Sequence, residues 1–321
     1  MFRTPVSLVP STSLLTLDSK ILSMGSCFAD FIGGKLTKNK FHILVNPFGV
    51  IFHPLAQFRI LDLALKAKQP PENTYICNQG VWYNYLFHGS ISHTSKSGLE
   101  KLIRQRLDEL NAQLRDLEIL LLTFGTAVQY QHLETGHTVA NCHKIPQQEF
   151  EKSLTPIKVI VREFQHLWSS WGTSRPQIIL SVSPIRHIKE GLLKNSASKS
   201  VLRVACEEIT ENQSMIDYFP GFEIMMDDLR DYRFFEKDMI HPNDTARDYI
   251  WDLFKENFLD QSARDFVKQW HKISLNLEHC PFHPHTPAHQ QFLQKTLKQI
   301  EQLPANIDTK EEIALLKKDL K

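Results

Sequence analysis

A chain of 321 residues is long enough to bury a substantial core, and its 42% hydrophobic and 23% charged side chains describe an ordinary globular protein. Its 37 basic and 36 acidic residues leave a formal net charge of +1. That balance supplies no global field to recruit nucleic acid or an anionic membrane surface, so neither partner is expected.

The first twenty residues contain no continuous apolar stretch, because Pro5, Pro10 and several Ser and Thr interrupt it. Short apolar runs at 20–24, 41–45, 118–124, 177–182 and 222–226 are expected strands. Amphipathic stretches with helical spacing lie between them, at 27–36, 54–68, 99–117, 156–171 and 199–212. This alternation is the signature of a parallel sheet in an α/β fold. A further helix follows over 244–254. From about 257 the pattern becomes helical, over 262–275 and 288–302, around a His/Pro-rich loop at 278–285. Residues 1–256 are expected to form a catalytic domain, with 257–321 a helical extension packed on it whose last dozen residues fray. No run reaches the ~18 apolar residues of a membrane span. The five scattered cysteines read as reduced thiols, so a cytoplasmic location is expected.

Ligands of open α/β sheets bind outside the carboxyl ends of the strands, so the residues just after each run carry the functional interest. Gly25-Ser26 follows the first run and heads a helix, whose N-terminal N–H groups suit an oxyanion. Ser26 is therefore either a simple helix cap or a nucleophile. Further along, Asp238 precedes His241 by three residues on one expected loop. A serine nucleophile needs a base, and that base needs a carboxylate on its other nitrogen. Together these features favour Ser26 as nucleophile, His241 as base and Asp238 as its orienting partner.

The chain is similar to the GSCFA-domain family, which takes its name from the segment present here at 25–29. The likeness extends through Asn46-Pro47-Phe48-Gly49, Gly125-Thr126-Ala127, Asn141-Cys142-His143-Lys144, the segments 181–187 and 228–235, and 238–243, spanning roughly residues 20–255 in order. More widely it resembles the SGNH/GDSL-like hydrolases. The resemblance implies a three-layer α/β/α fold and a Ser26, His241, Asp238 triad. It also implies an oxyanion hole completed by a glycine after the second strand, matched by Gly49, and an asparagine after the third. Ala127 stands where that asparagine would fall and offers no side-chain donor. Losing one such donor costs about 3 kcal/mol of transition-state stabilisation, so Asn46 or Asn141 is expected to replace it.

The remaining polar residues allow alternatives. Asn141 and His143 either bind an acyl carbonyl or substrate carboxylate, or merely shape a turn. Arg186 either pairs an anionic substrate group or holds Asp228 or Asp231 in an ion pair. His187 rivals His241 as base but lacks a carboxylate at short spacing. Cys27 is expected to be packed and inert. The cluster His279, Cys280, His283, His285 and His289 invites a zinc reading, but Pro281, Pro284 and Pro287 impose an extended run. No metal and no cofactor is therefore expected, and the segment should wrap the domain, anchored by Phe282. The expected activity is a serine esterase acting on an O-acyl ester of a carbohydrate or small metabolite. The alternatives are an O-acyltransferase using the same triad and a catalytically silent binding protein. The sequence leaves the oligomeric state open.

Overall fold

A computed structural model describes residues 4–8, 11, 14–211 and 213–320. Along the chain run β1 (Ile21–Gly25), α1 (Cys27–Lys38), β2 (Ile43–Val45), α2 (Pro54–Leu65), β3 (Tyr75–Asn78) and β4 (Val81–Asn84). There follow α3 (Lys96–Leu114), β5 (Ile119–Phe124), β6 (Val128–His132), β7 (Thr138–Val139), β8 (Phe150–Leu154) and α4 (Ile157–Ser170). Then come β9 (Gln177–Val182), α5 (Leu192–Thr210), β10 (Ile216–Tyr218), the single turn α6 (Gly221–Glu223) and α7 (Asp244–Phe258). Three helices close the chain: α8 (Gln261–Leu277), α9 (Pro287–Glu301) and α10 (Lys310–Asp319).

Side chains alternate across a strand, and here both alternations are apolar, so the central sheet must be covered on both faces. Leu22, Met24, Leu120, Leu122, Leu180 and Val182 pack with residues of α2, α3, α4 and α5. Ile21, Ile119, Leu121 and Ile179 face the other way, against Phe28 and Ile32 of α1 and Phe254 and Phe258 of α7. The result is an α/β/α arrangement around five parallel strands in the order β10-β9-β5-β1-β2. The strand order reverses between β1 and β5, the crevice where α/β sheets bind ligands. Ser26 emerges there.

Four of the five expected strands form close to their expected limits. The fifth does not: 222–226 lies in α6 and the π-helical turn Ile224–Leu229, while β10 is the preceding Ile216–Tyr218. A short buried apolar run fits helix or strand equally by pattern, and here Ile224 and Met225 are buried in a helical turn. Two antiparallel sheets, β3–β4 and β7–β6–β8, were not foreseen.

The C-terminal region is helical, with a core of its own around Phe266, Trp270, Ile273, Leu293, Ile300 and Leu316. Residues 310–319, expected to fray, form α10, pinned by buried Leu316. Phe282 is not an anchor. Its ring is 98% exposed, because the prolines hold the loop away from the surface it was expected to grip. No helix of the described residues is long and apolar enough to cross a membrane.

Candidate functional site

Gly25 is fixed by geometry. Its φ is +145°, and a Cβ there would lie 2.2 Å from the Thr123 carbonyl oxygen, so only glycine fits where β1 leaves the sheet. The Asn46 side chain braces this turn: Oδ1 accepts from Gly25 N–H at 2.8 Å, and Nδ2 donates to Asp30 Oδ1 at 2.6 Å. Ser26 then caps α1, its Oγ accepting from Phe28 N–H at 3.2 Å. The residue is fully buried.

The backbone donors expected for an oxyanion are already engaged. Ser26 N–H donates to the Thr123 carbonyl at 3.2 Å, and Gly49 N–H donates to the Asn46 carbonyl at 2.8 Å. The second is a tight turn, with Gly49 at φ +75°. Phe28 N–H goes to Ser26 Oγ, which leaves Cys27 N–H as the first-turn donor that no described backbone carbonyl accepts. The Cys27 thiol is half-buried, and burial together with Asp30 pushes its pKa up. A thiol held neutral in this way is a poor nucleophile.

Asp238 and His241 come together. Asp238 Oδ1 accepts from Ile240 N–H at 2.9 Å and His241 N–H at 3.0 Å, and Oδ2 lies 2.6 Å from His241 Nδ1. These bonds, first the His241 N–H and then its ring, hold the Asp238 carboxyl down to about 2. A carboxylate can only accept, so Nδ1 donates to it, and in the neutral imidazole the lone pair lies on Nε2. The loop is pinned at its base by the Phe235–Pro242 bridge, and Asn243 caps α7 through Ala246 N–H. Arg186 fastens it to the end of β9. The Arg186 guanidinium lies 4.1 Å from the Phe235 ring centroid and donates to the Met239 carbonyl at 3.3 Å. Arg186 thus secures the loop through a ring and a carbonyl, and not through the ion pair with Asp228 or Asp231 that was one of the two roles expected for it. Asp228 accepts from the Tyr249 hydroxyl at 2.6 Å. Among the described residues no hydrogen bond joins Ser26 Oγ to His241, although Ile240 and Cys27 pack on one apolar cluster.

Two neighbours of this strand end escaped the sequence reading. Lys199, on α5, is completely buried, and its ammonium donates to the carbonyls of Gly125 at 2.8 Å and Ser183 at 2.7 Å. It ties together the ends of β5 and β9. Burial pushes its pKa down to about 7. The signal was present: Lys199 shares a helical stripe with Leu202, Cys206 and Ile209, all buried. On the same helix, Ser198 Oγ accepts from Ala127 N–H at 2.7 Å, so Ala127 is absorbed into the core. His187 packs edge-on against Phe52, and its Nε2 is sealed from solvent without a hydrogen-bond partner. Burial, Lys199 and His241 push its pKa down to about 4, so it is a neutral imidazole at pH 7.

Asn141 and His143 lie beyond β7, on the β2 side of the strand ends. His143 Nε2 is 2.9 Å from the Asn84 carbonyl. A carbonyl only accepts, so Nε2 carries the proton and Nδ1 is a bare acceptor. Burial is the main cause of a pKa pushed down to about 4, which keeps the ring neutral. Nδ1 is buried without a partner. The expectation was that Asn141 and His143 either bind a carbonyl or carboxylate or shape a turn; a bare Nδ1 lone pair has no hydrogen to offer such an oxygen, and the bond from His143 N–H to Asn141 belongs to the turn. Asn141 Oδ1 accepts from His143 N–H at 2.8 Å, which turns its Nδ2 the other way.

Comparison with known families completes the picture. The model of the GSCFA family matches residues 20–254. The chain belongs to the GSCFA family. A second model, the C-terminal domain of GSCFA domain proteins, matches 270–321, covering the last eight residues of α8 and all of α9 and α10. No curated protein and no solved structure matches this GSCFA chain. Its family-naming segment, 25–29, is the β1–α1 turn described above. Among the described residues, no three His, Cys, Asp or Glu side chains group as a metal site. The ring of His279, just after α8, stands 6.2 Å from that of His289 in the first turn of α9.

Proposed function

We propose that this GSCFA protein is a serine acyl hydrolase of the SGNH kind, with Ser26 as nucleophile, His241 as base and Asp238 as the group that orients it. The observation that carries this reading is the 2.6 Å contact between Asp238 Oδ2 and His241 Nδ1. It leaves His241 Nε2 as a proton acceptor on a loop fastened to the β9 end of the sheet. His241 would remove the Ser26 proton as Oγ attacks an ester carbonyl, then return it to the leaving alcohol, while Asp238 stabilises the imidazolium. His187 serves poorly as the base, because a pKa near 4 gives little driving force for proton uptake at pH 7. Cys27 N–H, directly after the nucleophile, would donate to the oxyanion in the manner of a nucleophile elbow. Because Ser26 is buried and its Oγ caps α1, substrate entry must open the turn; catalytic hydrogen bonds are often loose before substrate binds. Five free thiols suit the reducing cytoplasm.

The same burial and capping favour a second reading, a binding protein that no longer performs acyl chemistry. One experiment separates the two. A fluorophosphonate probe should label wild type at Ser26 and leave Ser26→Ala unlabelled, and a chromogenic acyl ester should be turned over by wild type alone. Wild type that resists both reagents would leave the binding reading.

A further inference from the structure

Both faces of the Asn141–His143 pair are fixed by the fold. His143 must present an acceptor at Nδ1, because Nε2 is committed to the Asn84 carbonyl. Asn141 must present donors at Nδ2, because its oxygen is committed to His143 N–H. The His143 ring is held in place by stacking on Tyr83, centroids 4.8 Å apart and planes at 21°. A Cβ on Gly89 would stand 3.9 Å from His143 Nδ1 and 4.0 Å from Asn141 Nδ2, and among the described residues these are the only heavy atoms within 4 Å outside residues 88–90. Both nitrogens therefore face Gly89 across a gap no larger than an alanine methyl would fill.

We propose that this space is a subsite for a hydroxyl group of the substrate, which makes polyol or carbohydrate esters the substrate class; the assignment of the hydroxyl to a substrate rests on the hydrolase reading above. A hydroxyl donates one hydrogen bond and accepts others, which matches an imidazole lone pair beside an amide N–H. A carboxylate would meet the lone pair of Nδ1, and an ammonium would meet the N–H groups of Asn141, so each leaves one side mismatched. The location fits. His88 immediately precedes Gly89 and packs where Gly49 has no side chain, a Cβ there lying 2.5 Å from His88 Cβ. Gly49 belongs to the turn after β2, and β2 lies beside β1, so the subsite flanks the end of the sheet that bears Ser26. Nδ1 is sealed from solvent, so an entering hydroxyl must shift Gly89 between His88, whose N–H donates to the Phe48 carbonyl, and buried Ile91.

The test compares a glycerol monoester with the ethyl ester of the same acid. Gly89→Ala fills the space at ordinary contact distances, and Asn141→Asp replaces the donor while keeping the oxygen that holds His143 N–H. In each variant the ratio of kcat/KM for the glycerol ester over the ethyl ester should fall about 10- to 100-fold, as expected when a buried hydrogen-bonding group loses its partner. A second readout does not need catalysis. In Ser26→Ala, titration with glycerol or glucose should shift the His143 Nδ1 nitrogen resonance saturably, and adding Gly89→Ala should abolish the shift. An unchanged ratio together with a stationary resonance overturns the subsite. An inert wild type whose resonance still shifts overturns the hydrolase reading instead and leaves a polyol-binding site.

Discussion

Asp238 holds its loop with one oxygen and the imidazole of His241 with the other, and this division of labour makes a selective substitution available. In Asp238→Asn the carboxamide oxygen can still receive the N–H groups of Ile240 and His241, so the loop should keep its shape. The amide nitrogen would then face Nδ1 and force the imidazole into the opposite tautomer, with the proton on Nε2. Such a ring cannot take a proton from Ser26. The expected outcome is a fall in kcat of about 10³- to 10⁴-fold, with the native circular dichroism spectrum retained. Ester turnover within threefold of wild type would remove Asp238 from the mechanism. The pH consequence has a definite sign. A carboxyl held below its ordinary range favours the ionised pair, which persists above that range and is lost only as pH falls through about 2. A carbon-detected titration should therefore find Asp238 still ionised at pH 4.

At the scale of the element, α5 contributes a cation where a strand-end core would ordinarily be apolar. Lys199 satisfies the carbonyls of Gly125 and Ser183, the last groups of two neighbouring strands, and its replacement by methionine would leave both without these donors. Each buried carbonyl left unmatched costs about 1–3 kcal/mol, while removing a desolvated ammonium returns part of that at low pH. The balance depends on pH. The folded-state pKa, about 7, lies below the ~10.4 of an unfolded lysine, so between these limits the unfolded state binds more protons. Wild type should therefore gain stability over Lys199→Met as pH rises from 7 to 10, with little change below 7. Urea unfolding at pH 6 and pH 9 checks this; a gap that narrows at pH 9 would contradict it. This lysine also illustrates what sequence can reveal. The β1–α1 turn, four of the parallel strands and the flanking helices were legible, because burial on both faces imposes apolar runs and amphipathic helices. The turn at Gly25 was legible because only glycine fits it. The polarity of His143 was not, since its tautomer is set by the Asn84 carbonyl 59 residues earlier in the chain. Nor was the role of Arg186, whose ring partners lie on a loop that only the fold brings near.

At the scale of the whole molecule, α1 links the candidate site to the C-terminal helices. Its first turn is capped by Ser26, and at its other end the Lys38 carbonyl accepts from Trp270 Nε1 of α8 at 2.8 Å. Trp270 is 3% exposed, stacks on Phe266, and receives the Lys40 ammonium 5.1 Å from its ring centroid. Lys40 in turn pairs with Glu312 of α10 at 2.5 Å, and Leu17, just before β1, packs on both the sheet-side and the C-terminal clusters. The apolar contacts dominate this junction, since a partly exposed ion pair contributes at most about 1 kcal/mol whereas a buried tryptophan contributes several. Two substitutions separate the effects. Trp270→Phe loses the bond to Lys38 and should cost about 1 kcal/mol. Trp270→Ala empties the junction and should cost about 3–5 kcal/mol. If the C-terminal helices and the sheet form one cooperative unit, thermal unfolding followed by circular dichroism will show a single transition that moves down in both variants. A Trp270→Ala melt that splits, with the upper transition where wild type melts, would mean that the α/β layers are stable without these helices and that α1 is held at its Ser26 end alone.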